Sequence, residues 1–251
     1  LLLDVPENHF EGLLPAWLSD CCIFSIHVAY NNFTGTIPSM VDCNDIPQRK
    51  TTFNLSNNHF TSLSKDRSWP FSASVIYDVS HNDLTAPLVL ETYTPGHFKF
   101  VASHNQIQGD LTRLRVPMSA DIILDHNRLE FDIALFAGQS VNTLKLNNNR
   151  IYGSLDVLSM MAVGSLDLSF NNLNLSFSLA SLTSAFENHL QLLNIEGNSK
   201  LPILHTINGL VKSGLAPHSI PGTFAECYQI SPSQDNLSKF VFDTGLFSYL
   251  Q

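Results

Sequence analysis

Three histidines, His81, His104 and His126, recur 23 and 22 residues apart, each directly before an asparagine, and Asp125 adjoins the last of them. Imidazole titrates near neutral pH and is a frequent transition-metal ligand, so three in register could hold an ion or act together as a proton-sensitive switch. A plainer reading competes with these. The same place carries Asn57 and Asn148 elsewhere in the chain, and short polar residues suit a tight turn. Turn filler is therefore the preferred reading, and neither a metal nor a cofactor is expected.

Other chemistry finds no motif to stand on. The sequence has no nucleophile elbow, no His-Glu-x-x-His pair, no phosphate-cradling glycine loop and no Cys-x-x-Cys. His9 and His59 merely lie between an asparagine and the next apolar residue of the same pattern. A non-catalytic protein is expected.

The elements that would position these residues follow from composition and periodicity. The chain has 251 residues, of which 44% are hydrophobic and 14% charged, ample for a continuous core. A formal charge of −9 opposes a nucleic-acid partner, because such binding needs basic residues to displace counterions. The longest apolar run, Ile133 to Ala137, is far below the roughly 20 residues of a spanning helix, so no membrane contact is expected. Leu1 to Leu3 run at once into Asp4 and Pro6, unlike a signal peptide, so the sequence reads as an excerpt with further repeats upstream.

A pattern apolar-x-apolar-x-x-Asn-x-apolar recurs, with its asparagines at Asn8, Asn31, Asn58, Asn82, Asn105, Asn127, Asn149, Asn171 and Asn198. The mean spacing is about 24 residues, inside the leucine-rich-repeat range. Leu144 to Ile151 and Leu166 to Leu173 are the cleanest copies, and Phe100 to Ile107 is degenerate but keeps its asparagine. Alternation puts Leu144 and Leu146 on the inner side of a short strand, with Lys145 and Asn147 outward. Where the chain turns off the strand, backbone groups need partners, and a carboxamide can both donate and accept. The asparagines are thus expected to form a buried ladder. Residues 1 to 201 form the repeat domain, opening inside a repeat. Residues 202 to 251 lose the asparagine yet keep Phe240, Val241, Phe242, Leu246 and Phe247, as a C-terminal cap would.

The first two copies, Asn8-His9-Phe10-Glu11-Gly12 with Leu14-Pro15, and Asn31-Asn32-Phe33-Thr34-Gly35 with Ile37-Pro38, resemble the N-x-F-x-G-x-I-P signature of plant-type extracellular leucine-rich-repeat receptor-like ectodomains. Similar repeats occur on protist surface proteins. The resemblance implies an α/β-type solenoid, a right-handed horseshoe or superhelix with short parallel strands on the concave face and a mostly irregular or 3-10 convex side. It implies a secreted or cell-surface module that binds a protein or peptide on the concave face. The alternative is an intracellular scaffold, or a regulatory domain attached to an enzyme. The resemblance implies that Cys227, which has no evident mate here, pairs with a cysteine beyond Gln251.

Solvent-facing strand positions and the residues before each ladder asparagine give the candidate binding row: Asp4, Glu7, Tyr30, Asp78, His81, His104, Asp125, His126, Lys145, Asp167, Phe170 and Glu196. Carboxylates dominate it against one lysine, which favours a partner with a basic surface. Cys21, Cys22 and Cys43 fall at similar places on adjacent coils. A Cys21–Cys43 disulfide and buried free thiols both remain open. Glycosylation sequons stand at Asn32, Asn54, Asn174 and Asn236, about as many as chance supplies, so they do not establish secretion.

Overall fold

The computed structural model describes residues 2–20, 25–39, 51–64, 75–88, 90–91, 97–112, 114–115, 119–174, 181, 184–185, 190–198 and 241–243. Cys21, Cys22, Cys43, Cys227, the sequon at Asn236 and most of the expected cap lie outside these residues. The chain divides into two compact units, one of residues Leu1–Phe131 with Ser140–Leu144, the other of Asp132–Gln139 with Lys145–Gln251.

In the first unit, the strands Leu2–Asp4, Ser25–His27, Thr51–Asn54, Val75–Asp78, Phe98–Val101 and Asp121–Ile123 lie side by side in chain order, every pair parallel. Register follows the repeat, so Leu3, Ile26, Phe53, Tyr77, Phe100 and Ile122 face one another in turn. From Ile26 onward this inner column is fully buried, as is the next one: Val28, Leu55, Val79, Ala102 and Leu124. Each such side chain contributes about 1.5 to 3 kcal/mol by leaving water. Aromatics fill the column where they occur: Tyr77 stacks on Phe100 at 5.9 Å and meets Phe53 edge-on at 5.5 Å.

Beyond the turn a second, shorter parallel sheet forms from Glu11–Leu13, Asn32–Ile37 and His59–Leu63. Its signature glycines Gly12 and Gly35 have φ of 89° and 79°. L side chains rarely adopt such backbone, which accounts for the glycine in the motif. The signature phenylalanines Phe10, Phe33 and Phe60 stack in series at 6.2 and 6.3 Å.

The second unit repeats the plan. Ala162–Asp167 pairs in parallel with Leu192–Asn194, and Val241–Asp243 then adds antiparallel, setting Phe242 opposite Leu193. Its other face carries 3-10 turns, Ile133–Phe136 and Leu155–Met160, whose first amides are capped by Asp132 and Ser154. Among the described residues no helix is long and apolar enough to cross a membrane.

The asparagines make a repeated four-bond unit. The Nδ2 of Asn82 donates to the carbonyls of Leu55, Val79 and Ser80 at 3.1 Å each, and its Oδ1 accepts from the Phe60 amide at 3.0 Å. Asn58, Asn105, Asn171 and Asn198 bond in the same way and are likewise buried. Asn31, Asn127 and Asn149 are only half-buried, and Asn8, in the first coil, is exposed. The expectation of a ladder buried throughout therefore needs correction.

Candidate functional site

The residue before each ladder asparagine has left-handed backbone. Glu7, Tyr30, Asn57, His81, His104, His126, Asn148 and Phe170 all have φ between 52° and 57°. Asparagine tolerates this region, whereas aromatic and acidic residues adopt it at a cost of order 1 kcal/mol or more. The geometry is held because the amides of Glu7, Tyr30, Asn57, His81, His104, Asn148 and Phe170 bond along the stack, as from Tyr30 to the Ser56 carbonyl at 3.1 Å and from His104 to the Asp125 carbonyl at 3.0 Å. The column therefore projects side chains from a rigid support. Tyr30 and Phe170 remain 58% and 50% exposed. In the second unit Gly197 continues the column, and a Cβ there would strike the Phe170 ring.

Four residues before the ladder asparagine lies a second column, where Asn54, Asp78, Asp167 and Asn194 cap the turn. Asp78 Oδ1 accepts from the Ser80 amide and hydroxyl at 2.9 and 2.6 Å. Asp167 does the same with Ser169, and Asn54 with Ser56. Of the candidate row, Asp78 and Asp167 thus serve the fold as well as the surface. Asn54 is similarly engaged, whereas the sequons at Asn32 and Asn174 are exposed.

Four coils depart from this pattern, with His27, Val101, Ile123 and Lys145 at that place, and of these the adjacent Val101 and Ile123 are apolar. Without a local acceptor, Ser103 Oγ instead donates to Asp125 Oδ1 on the next coil at 2.6 Å. Asp125 takes the place that serine holds at Ser56, Ser80 and Ser103. Its Oδ2 lies 2.9 Å from His126 Nδ1 and 3.9 Å from His104 Nε2. The three histidines stack, His81 on His104 at 4.3 Å and His104 on His126 at 4.2 Å. Partial burial works against ionised Asp125, but hydrogen bonds from Ser103 and His126 outweigh it and hold the carboxyl below the usual range. Desolvation, then repulsion from His126 and His81, lowers the His104 pKa despite the attraction of Asp125. At neutral pH His104 is neutral beside an anionic Asp125.

Asp4 and Glu7 are exposed, and Asp4 pairs with His27 at 3.2 Å. Lys145 is exposed and Glu196 half-buried in the second unit. Sequence reasoning missed His27, Ser103, and the His97–Asp121 pair at 3.2 Å. His27 and Asp121 occupy outward strand positions that the repeat pattern already marks. Ser103 could have been found by noting that its capping partner is a valine.

Strand order, register and the asparagine ladder define a leucine-rich-repeat solenoid. A solved structure with a similar chain is the leucine-rich-repeat ectodomain of the Arabidopsis thaliana membrane receptor kinase GASSHO1/SCHENGEN3, in complex with CASPARIAN STRIP INTEGRITY FACTOR 2. The identity is 19% and the TM-score 0.33, over 78% of this chain and 33% of that one. The chain thus spans about a third of that ectodomain's length. No protein family matches the chain, and no curated protein does.

Proposed function

We propose that this protein is a non-catalytic module of a cell-surface or secreted protein, binding a protein or peptide with a basic surface along the strand-exit row. The observation that carries the reading is the left-handed column. Strained, stack-bonded backbone presents Glu7 and Tyr30 to solvent in the first unit and Phe170 in the second. Strain of this kind clusters at functional positions, and rigid exposed aromatics are typical interface anchors. Carboxylates at Asp4, Glu7, Asp78 and Asp125 flank the aromatic and histidine side chains of the first unit, so their fields add along one line.

A displayed library of random peptides tests this directly. Wild type should enrich basic peptides, and the variant Asp4→Lys/Glu7→Lys/Tyr30→Ala should lose them while melting at the same temperature, because none of the three caps a turn. Enrichment that ignores these substitutions would place the binding surface elsewhere. Localisation is read separately. A secreted protein gives an oxidised Cys21–Cys43 pair and glycan on Asn32 or Asn174, both visible in intact mass with and without reductant. Free thiols and bare asparagines would support the intracellular scaffold instead.

A further inference from the structure

The two coils with Val101 and Ile123 in place of a turn cap carry an arrangement that the rest of the row does not. We propose that His104 Nε2, His126 Nδ1 and the Asp125 carboxylate form a binding site for one divalent transition-metal ion of the zinc class. One donor atom from each of the three lies within 4.8 Å of the others. Zinc bonds such donors at about 2.0 to 2.2 Å, which sets neighbouring donors roughly 3.3 Å apart. The 2.9 and 3.9 Å separations from Asp125 Oδ2 bracket that value, and all three donors lie within 4.8 Å of one another, so closure needs shifts of at most about 1.5 Å. The rings must tilt out of their stack to aim both nitrogens at one point. They are free to do so, because the His104 and His126 side chains are 44% and 43% exposed.

The support beneath the donors is built. His104 and His126 project from left-handed backbone at φ 53°. Asp125 is 15% exposed at its side chain, and Ser103 occupies its Oδ1, leaving Oδ2 toward the imidazoles. A hydroxyl that fixes a ligating carboxylate is the usual outer-shell partner of a metal ligand. Three protein ligands leave the remaining positions to water or to a donor from a bound molecule. The pairs His27–Asp4, His59–Asp83 and His97–Asp121 each unite one imidazole with one carboxylate, a weaker claim on an ion. The inference does not depend on the proposed peptide binding.

The test is calorimetric titration of the whole chain with zinc chloride, alongside NMR of the imidazole carbons. One zinc per chain is expected, with shifts concentrated at His104 and His126. The double variant His104→Asn/His126→Asn should weaken binding by well over about tenfold and Ser103→Ala by about tenfold, while His59→Asn leaves it unchanged. Asparagine already occupies this column at Asn57 and Asn148, so the variants keep the turn. Equal zinc affinity in wild type and the double variant would overturn the proposal. So would wild-type His104 and His126 signals that ignore zinc, a result that needs no variant.

Discussion

Two stretches of the first unit two coils apart, one ending at Asn82 and one at Asn127, share backbone path, ladder bonds and left-handed histidines, yet use their carboxylates in opposite ways. Asp78 is spent inside its own turn, capping Ser80. Asp125 sits two places later, because Val101 and Ile123 have vacated the capping column, and it reaches its coil neighbours instead. The lesson is that a repeat's turn chemistry consumes polar side chains by default. A surface carboxylate becomes available for other work where an apolar substitution elsewhere in the coil releases its usual partner.

The largest effect tests what the two stretches have in common. Asn82→Leu and Asn105→Leu should each cost about 3 to 5 kcal/mol in urea unfolding, since each strands a buried amide and several carbonyls. The two costs should agree within about 1 kcal/mol, because both side chains are buried and bond to four equivalent backbone groups on successive coils. Asn8→Leu, where the rung is exposed, should cost under about 1 kcal/mol. A large cost at Asn8, or a small one at Asn82, would separate the ladder from stability.

A middle-sized effect sharpens the contrast between the carboxylates. Asp78→Ala removes two cap bonds and should destabilise by about 1 to 2 kcal/mol, in the range of other lost caps. Asp78→Asn should stay within about 0.5 kcal/mol of wild type, because Asn54 makes the same bonds to Ser56. Asp125→Asn, by contrast, should move the His104 and His126 resonances in NMR while shifting the unfolding midpoint little. Should Asp78→Asn prove as damaging as Asp78→Ala, the charge rather than the cap geometry would be what the turn requires.

Periodicity made the fold legible: the inner columns from Ile26 to Ile122 and the ladder positions follow from one eight-residue pattern and a count of about 24. Stacking of His81, His104 and His126 follows from the same count. What periodicity could not show is which polar atoms are already used. Asp78 and Asp125 look alike as acidic residues near a strand end, and their difference lies in side chains two residues away and one coil over. The left-handed backbone at Glu7, Tyr30 and Phe170 was equally hidden, since nothing about those residue types asks for it. Only their shared place with Asn57 and Asn148 hints at it.

The smallest effect is also the one most specific to the comparison. Val101→Asn restores the missing cap acceptor in the strand Phe98–Val101, at a half-buried position whose register partner is Asp78. The new carboxamide stands to Ser103 as Asn54 stands to Ser56, so the Ser103 hydroxyl should return to its own turn. Neutral asparagine avoids the like-charge contact with Asp78 that aspartate would create. One hydrogen bond is exchanged for another of the same kind, so the unfolding free energy should change by less than about 1 kcal/mol. The spectroscopic consequence is local: the side-chain carboxyl carbon of Asp125 should shift as it loses its 2.6 Å donor, and that of Asp167 should not. An unmoved Asp125 signal would mean that Ser103 is held by its neighbour for reasons other than the vacated column.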